Sequence, residues 1–269
     1  MLTPMKSALG LVLGVTILAT AVGCDNAGDN TGTGPQIVGG SGGAGSVLPG
    51  GASSGGTGTL AEGVPLTPLN GWVAVDNVLK IQGAMFPFGD KYSMMTVMPM
   101  DFSMSGDKAC IAGTAAKVDM ASMPCTTKMF TAPATDCYGE YWGVAIGMNM
   151  NQTIDEATGM GSTPGPYDAS AIKGFAFNIS GAAVPTSLRF KVENAAGEYC
   201  SPPAKKIAAG PNTFMFGDVV KECWKTPTPT APTGETAKAD LLKISWQVVT
   251  NAMGAVPFDF CVSDVRALQ

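Results

Sequence analysis

Histidine is missing from all 269 residues, and charge is scarce: 16 Lys and Arg stand against 21 Asp and Glu, only 14% of the chain. An average soluble domain carries roughly 25%. Without imidazole there is no Ser-His-Asp or Cys-His centre and no zinc site with a histidine ligand. A net charge of −5 built on so few cations lacks the electrostatic footprint for nucleic acid, so no such partner is expected. Long apolar runs are lacking as well. The run from Ser7 to Thr20 has 14 residues, too short for the roughly 20 that a helix needs to cross hydrocarbon. What the chain does have is 35 glycines, 16 methionines and 7 cysteines, and each of these groups carries information.

The apolar run follows a short segment, Met1 to Lys6, with one cation, and suits the h-region of a signal peptide. It ends in Ala21-Val22-Gly23-Cys24, which resembles the bacterial lipobox, where small residues precede a cysteine that receives a diacylglyceryl group. The resemblance implies that residues 1–23 are a lipoprotein signal peptide and that Cys24 is acylated with palmitate-type chains. At roughly 0.8 kcal/mol per buried CH2, two or three chains hold a protein firmly to a bilayer. The expected location is therefore the envelope of a Gram-negative bacterium, at the outer membrane or cell surface. The inner membrane is the alternative, because Asp25 directly after the anchor retains some lipoproteins there.

Residues 24–65 read as a tether. Positions 25–65 hold 14 glycines, three acids (Asp25, Asp29 and Glu62) and no aromatic residue, too little apolar surface to offset backbone entropy. As a Gly/Ser-type coil this length spans about 35 Å. From Leu66 to Gln269 the composition changes: short runs rich in Val, Ile, Phe, Trp and Thr alternate with Gly, Pro, Asn and Asp. Strands are expected at 72–75, 78–82, 94–98, 109–118, 142–150, 172–179, 187–193, 214–219, 242–250 and 258–265. In Leu188-Arg189-Phe190-Lys191-Val192 the apolar side chains share one face and the cations the other. A short helix over 114–120 is the one competing reading. About ten strands with turns between them predict one all-β domain, a two-sheet jelly-roll sandwich over 66–269. The Pro/Thr-rich stretch 226–233 is expected as an exposed strand connection.

Setting Cys24 aside leaves six cysteines: Cys110, Cys125, Cys137, Cys200, Cys223 and Cys261. An even number in an exported chain predicts disulfides, although six cysteines allow 15 connectivities. The local choices are Cys125 with Cys137 and Cys200 with Cys223, which leaves Cys110 with Cys261. With neither CxxC nor histidine present, metal ligation by these thiols is not expected.

Catalysis is not expected either. Asp136, Glu140, Asp155, Glu156 and Asp168 are carboxylates of the kind glycosidases use, but their spacing selects no pair, and most sit among turn residues. Aromatic residues are better candidates. Tyr141 and Trp142 lie in Tyr138-Gly139-Glu140-Tyr141-Trp142-Gly143, and Trp246 in Ile244-Ser245-Trp246-Gln247-Val248. Sugar rings stack their C–H faces on aromatic planes, and their hydroxyls take polar partners such as Arg189, Gln247 or Asp168. Against this stands the habit of tryptophan in a sandwich to fill the core. Met94, Met95, Met98, Met100 and Met104 form a cluster whose thioethers suit Cu(I) or, at period two, simply core filling.

The C-terminal half carries a second resemblance. Lys173-Gly174-Phe175-Ala176-Phe177, Leu188-Arg189-Phe190-Lys191-Val192, Cys223-Trp224, Ile244-Ser245-Trp246-Gln247-Val248 and the closing Phe258-Asp259-Phe260-Cys261-Val262-Ser263-Asp264-Val265 resemble the strand order of galactose-binding-like jelly rolls of the carbohydrate-binding-module type. The whole chain is similar to Gram-negative lipoproteins that carry such a domain after a glycine-rich tether. The resemblance implies a structural calcium in some members and polysaccharide binding on the concave face or the rim loops. The function expected is thus a non-enzymatic, bilayer-anchored lipoprotein that binds carbohydrate, with Trp142, Tyr141, Trp246, Arg189 and Asp168 as contact residues. The alternative is a structural or adhesive envelope protein with protein partners.

Overall fold

Alternation with period two decides which way each strand faces. In strand β9 (Leu188–Asn194), Leu188, Phe190 and Val192 are buried in the core while Arg189 and Lys191 lie on the opposite face. In β14 (Val256–Leu268), Phe258, Phe260 and Val262 do the same against Asp259 and Cys261. The computed structural model describes residues 59–98, 102, 106–119, 139–155, 161–224, 228 and 230–269. The expected acylation site Cys24, the signal peptide, tether residues 24–58, Cys125, Cys137, Asp136, Glu156, Met100 and Met104 lie outside the described residues.

The other strands are β1 (Val64–Pro65), β2 (Pro68–Leu69), β3 (Trp72–Val73), β4 (Gly83–Gly89), β5 (Met94–Met98), β6 (Lys108–Ala115), β7 (Val144–Asn149), β8 (Gly174–Ala183), β10 (Gly197–Cys200), β11 (Gly210–Met215), β12 (Val220–Lys221) and β13 (Leu241–Val248). One sheet has six strands, in the order β11-β8-β14-β6-β5 with β1 added beside β14; the other has eight, β12-β10-β9-β13-β7-β4-β3-β2. All the sheet pairings are antiparallel. From β6 onward the chain passes back and forth between the layers, and β13 and β14 return to the interior of the two sheets. This is jelly-roll connectivity, and one hydrophobic core draws on both sheets. The protein is an all-β, two-sheet sandwich.

Several expected boundaries move, each for a local reason. Residues 78–81 are a turn region and not a strand, and Gln82 makes only an isolated bridge with Asn151: Lys80 has φ +57°, and the Asn77 amide donates to the carbonyls of Ala74 and Ile81 at 2.8 and 2.6 Å. The strand is β4, immediately after it. The alternative helix over 114–120 does not form in its described part, because Thr114 and Ala115 complete β6 opposite Pro257 and Val256. Strand β11 stops at Met215, and 216–218 is a 3-10 turn. At the N-terminal side the sheet already includes Val64 and Pro65, composition notwithstanding, because their backbone pairs with Ala267 and Arg266. Met95 and Val97 pack on the core, whereas Met94 and Met98 on edge strand β5 are exposed.

Two disulfides join described residues. Cys110 and Cys261 lie directly opposite each other on β6 and β14, Cα atoms 4.0 Å apart, and Cys200 reaches Cys223 with Cα atoms 5.4 Å apart. Their loops, of 151 and 23 residues, correspond to about 5 and about 3 kcal/mol in the chain-entropy account. Replacing both Cys110 and Cys261 by serine should lower the unfolding free energy by about 2–5 kcal/mol in a denaturant titration.

Trp246 is completely buried, a correction to its expected role as a contact residue. Its neighbours two residues either way, Ile244 and Val248, share its core face. It meets Phe177 edge-on at 5.3 Å and Phe190 at 6.0 Å. Its indole N–H is buried without a partner, so part of what the ring contributes is lost to desolvation. Trp246→Ala should therefore cost about 3–5 kcal/mol. Trp246→Phe, which removes the orphan donor along with some volume, should cost far less in the same titration.

Candidate functional site

The face of the eight-stranded sheet turned away from the core is built in rows across the strands. Phe86 on β4 stands opposite Gly147 on β7, then Ser245 on β13 and Lys191 on β9. The next row is Phe88, Ala145, Gln247 and Arg189. A third ends in Asn149, Lys243 and Glu193. The first two rows thus run from apolar through small and polar to charged, and the third is polar to charged. The order follows from register, since all of these residues but Phe88 sit next to a core residue on their own strand.

At the apolar end lies an aromatic group that composition alone did not single out. Phe86 and Phe88 have centroids 5.4 Å apart, and Phe88 and Trp142 lie at 5.6 Å; all three rings are half-buried. Gly147 lets the phenyl rings lean over β7: a Cβ there would stand 2.8 Å from Phe86 Cζ and 3.0 Å from Phe88 Cε1. Lys243 Nζ sits 5.0 Å from the Phe88 centroid and pairs with Glu193 at 3.0 Å, and Lys191 pairs with Glu198.

Trp142 is positioned by a buried carboxylate. Asp90, just past β4, accepts hydrogen bonds from the backbone N–H groups of Tyr92 (3.0 Å), Ser93 (2.7 Å) and Gly143 (2.6 Å), while its own N–H donates to the Gly143 carbonyl (2.8 Å). Gly143 has φ +99°, and a Cβ there would lie 1.9 Å from the Val248 carbonyl oxygen, so no other residue fits that approach. Gln247 Nε2 donates to the Trp142 carbonyl at 2.8 Å. These contacts set the tryptophan beside Phe88.

The remaining expected residues separate. Tyr141 is buried, and its ring is already stacked on Tyr92 at 4.1 Å and 14°, so it supports the loop and presents no free face. Asp168 is exposed and belongs to none of these strand rows; the Ser170 backbone N–H (2.9 Å), with the Ser170 hydroxyl, holds its carboxyl below the usual range. Its role is local turn chemistry. Arg189 does lie on the face, partly buried, and that burial pulls its guanidinium below its ordinary value. Only Trp142 and Arg189 of the five are thus on the same face. Among the described residues, no three acidic or cysteine side chains converge as a metal cluster would require. No described helix is long and apolar enough to cross a membrane.

No protein-family model matches the chain. No curated protein matches it either. Among solved structures the chain is similar to the family 11 carbohydrate-binding module of the cellulosomal cellulase Lic26A-Cel5E of Clostridium thermocellum, at 10% identity and a TM-score of 0.38, over 68% of this chain and 86% of that one. A family 11 module from the same organism, in complex with a β-1,3-1,4-mixed-linked tetrasaccharide, aligns at 9% identity and a TM-score of 0.36, over 77% and 97%. SGBP-B from a complex xyloglucan utilization locus in Bacteroides uniformis aligns at 16% identity and a TM-score of 0.34, over 75% of this chain and 50% of that one.

Asp90 gives this site a direct test. Asp90→Ala leaves three backbone donors without their acceptor and should cost about 2–4 kcal/mol in urea unfolding. Asp90→Asn, which keeps one carbonyl oxygen, should cost less.

Proposed function

We propose that this domain binds carbohydrate without catalysing any change in it, and that a polysaccharide lies across the rows from β4 to β9. The observation that carries the reading is the aromatic group Phe86, Phe88 and Trp142 set beside Gln247, Lys243 and Arg189 on one sheet face. Ring faces accept the C–H faces of sugars, and the partly buried Lys243 and Arg189 are in reach of hydroxyls, while the buried Gln247 holds the Trp142 carbonyl. From Phe88 to Arg189 is three strand spacings, roughly 14 Å, the scale of a short oligosaccharide and not of one monosaccharide. A structural calcium is not needed for this reading.

The same proposal places the domain on a membrane through acylated Cys24, in the cell envelope of a Gram-negative bacterium, with the sequence Ala21-Val22-Gly23-Cys24 as its support. The second reading, an adhesive envelope protein with protein partners, is favoured by one feature. Leu69 and Val78, 68% and 76% exposed, line an open groove of about 780 Å³ with Trp72 and the chain end Gln269. The aromatic face is the more specific of the two, because its polar groups are arrayed in register with its rings.

Affinity electrophoresis or a glycan array on the full chain in detergent separates the readings. Phe88→Ala and Trp142→Ala should each weaken binding about tenfold, equivalent to about 1.4 kcal/mol, while Trp246→Phe should leave it unchanged. A folded protein that retains no polysaccharide of any kind removes the carbohydrate reading. Labelled palmitate should be incorporated by the wild-type chain and not by Cys24→Ala.

A further inference from the structure

Arg189 closes the row that begins at Phe88, and it differs from the cations around it. Lys191 is paired with Glu198, Lys243 with Glu193 and Lys205 with Asp218. Among the described residues, the Arg189 guanidinium has no hydrogen-bond or ion-pair partner. It borders a cavity of about 90 Å³ lined also by Thr186, Ser187, Ser201, Lys205 and Lys206. Ser187 Oγ is buried with no hydrogen-bond partner. Among the described residues no carboxylate lines the cavity, and the nearby Asp218 is engaged by Lys205 and by the Met215 N–H at 2.7 Å.

A free guanidinium and an orphaned hydroxyl at one cavity both lack what a bound oxyanion supplies. The planar fork of arginine matches a carboxylate or sulfate in two parallel hydrogen bonds, and Lys206 adds a second cation on the exposed side. We infer that this cavity takes the carboxylate or sulfate of an acidic polysaccharide whose neighbouring rings rest on Phe88. The inference rests on the carbohydrate reading and narrows it to anionic glycans. General attraction does not account for such binding, because the chain as a whole carries a net charge of −5 and repels polyanions.

The test uses the full chain in detergent with polygalacturonate and its fully methyl-esterified form, and with dextran sulfate and dextran. These pairs tell a carboxylate from a sulfate. The wild type should prefer one charged member over its neutral counterpart at least tenfold in moderate salt. Arg189→Gln should abolish that preference and Arg189→Lys retain part of it, whereas the remote Lys221→Gln should change nothing. Lys206→Gln, at an exposed position, should reduce the preference several-fold and keeps the test sound if Arg189→Gln fails to fold. Equal binding of charged and neutral partners, or a preference that survives both Arg189→Gln and Lys206→Gln, overturns the inference; if Phe88→Ala still weakens that binding, the carbohydrate reading stands. Binding to none of the four polymers overturns the inference, and the glycan array then decides the carbohydrate reading separately.

Discussion

Strand β13 is the constraint on which the rest depends. It lies between β9 and β7, and in Ile244-Ser245-Trp246-Gln247-Val248 its alternate side chains serve two unrelated purposes. Ile244, Trp246 and Val248 fill the space between the sheets; Ser245 and Gln247 continue the rows outside. A slip of one residue would exchange the two sets and put an indole on the surface and an amide in the core. The pull of the aromatic core on Trp246 therefore holds Gln247 in line with Arg189 and Ala145. Stability and the proposed recognition face share one register.

Much of this was readable from the residues, where the alternation was clean. The inward set of β9 and that of β14 follow directly from their period of two, as did the outward placement of Arg189. The core position of Trp246 is legible as well, since the residues two positions on either side are Ile and Val and tryptophan in a sandwich commonly fills the core. Cys200 with Cys223 is the local choice, and Cys110 with Cys261 is the pair that the local choices leave.

Phe86 and Phe88 were not legible, for a physical reason. Phe86-Pro87-Phe88-Gly89 contains proline and glycine, which argue against a strand interior. Proline is tolerated because β3 reaches only as far as Ala84, so that at Pro87 the strand is an edge on that side. Nor does local pattern reveal Asp90 as the acceptor for Gly143, 53 residues away. That contact exists only once β4 and β7 are paired. The free state of Arg189 is equally a tertiary property, set by which carboxylates the neighbouring lysines have already taken.

The short pairing of Val64 and Pro65 with Arg266 and Ala267 has a mechanical meaning. Those two residues, followed by the Leu66 N–H on the Val265 carbonyl, are where the preceding chain joins the six-stranded sheet. The aromatic face belongs to the other sheet. If that face holds a polymer and the N-terminal chain is anchored, as proposed, tension between them would be borne in series by the sandwich and by β1, whose few hydrogen bonds would peel away well before the long strands part. The domain would yield a little slack first and keep its grip.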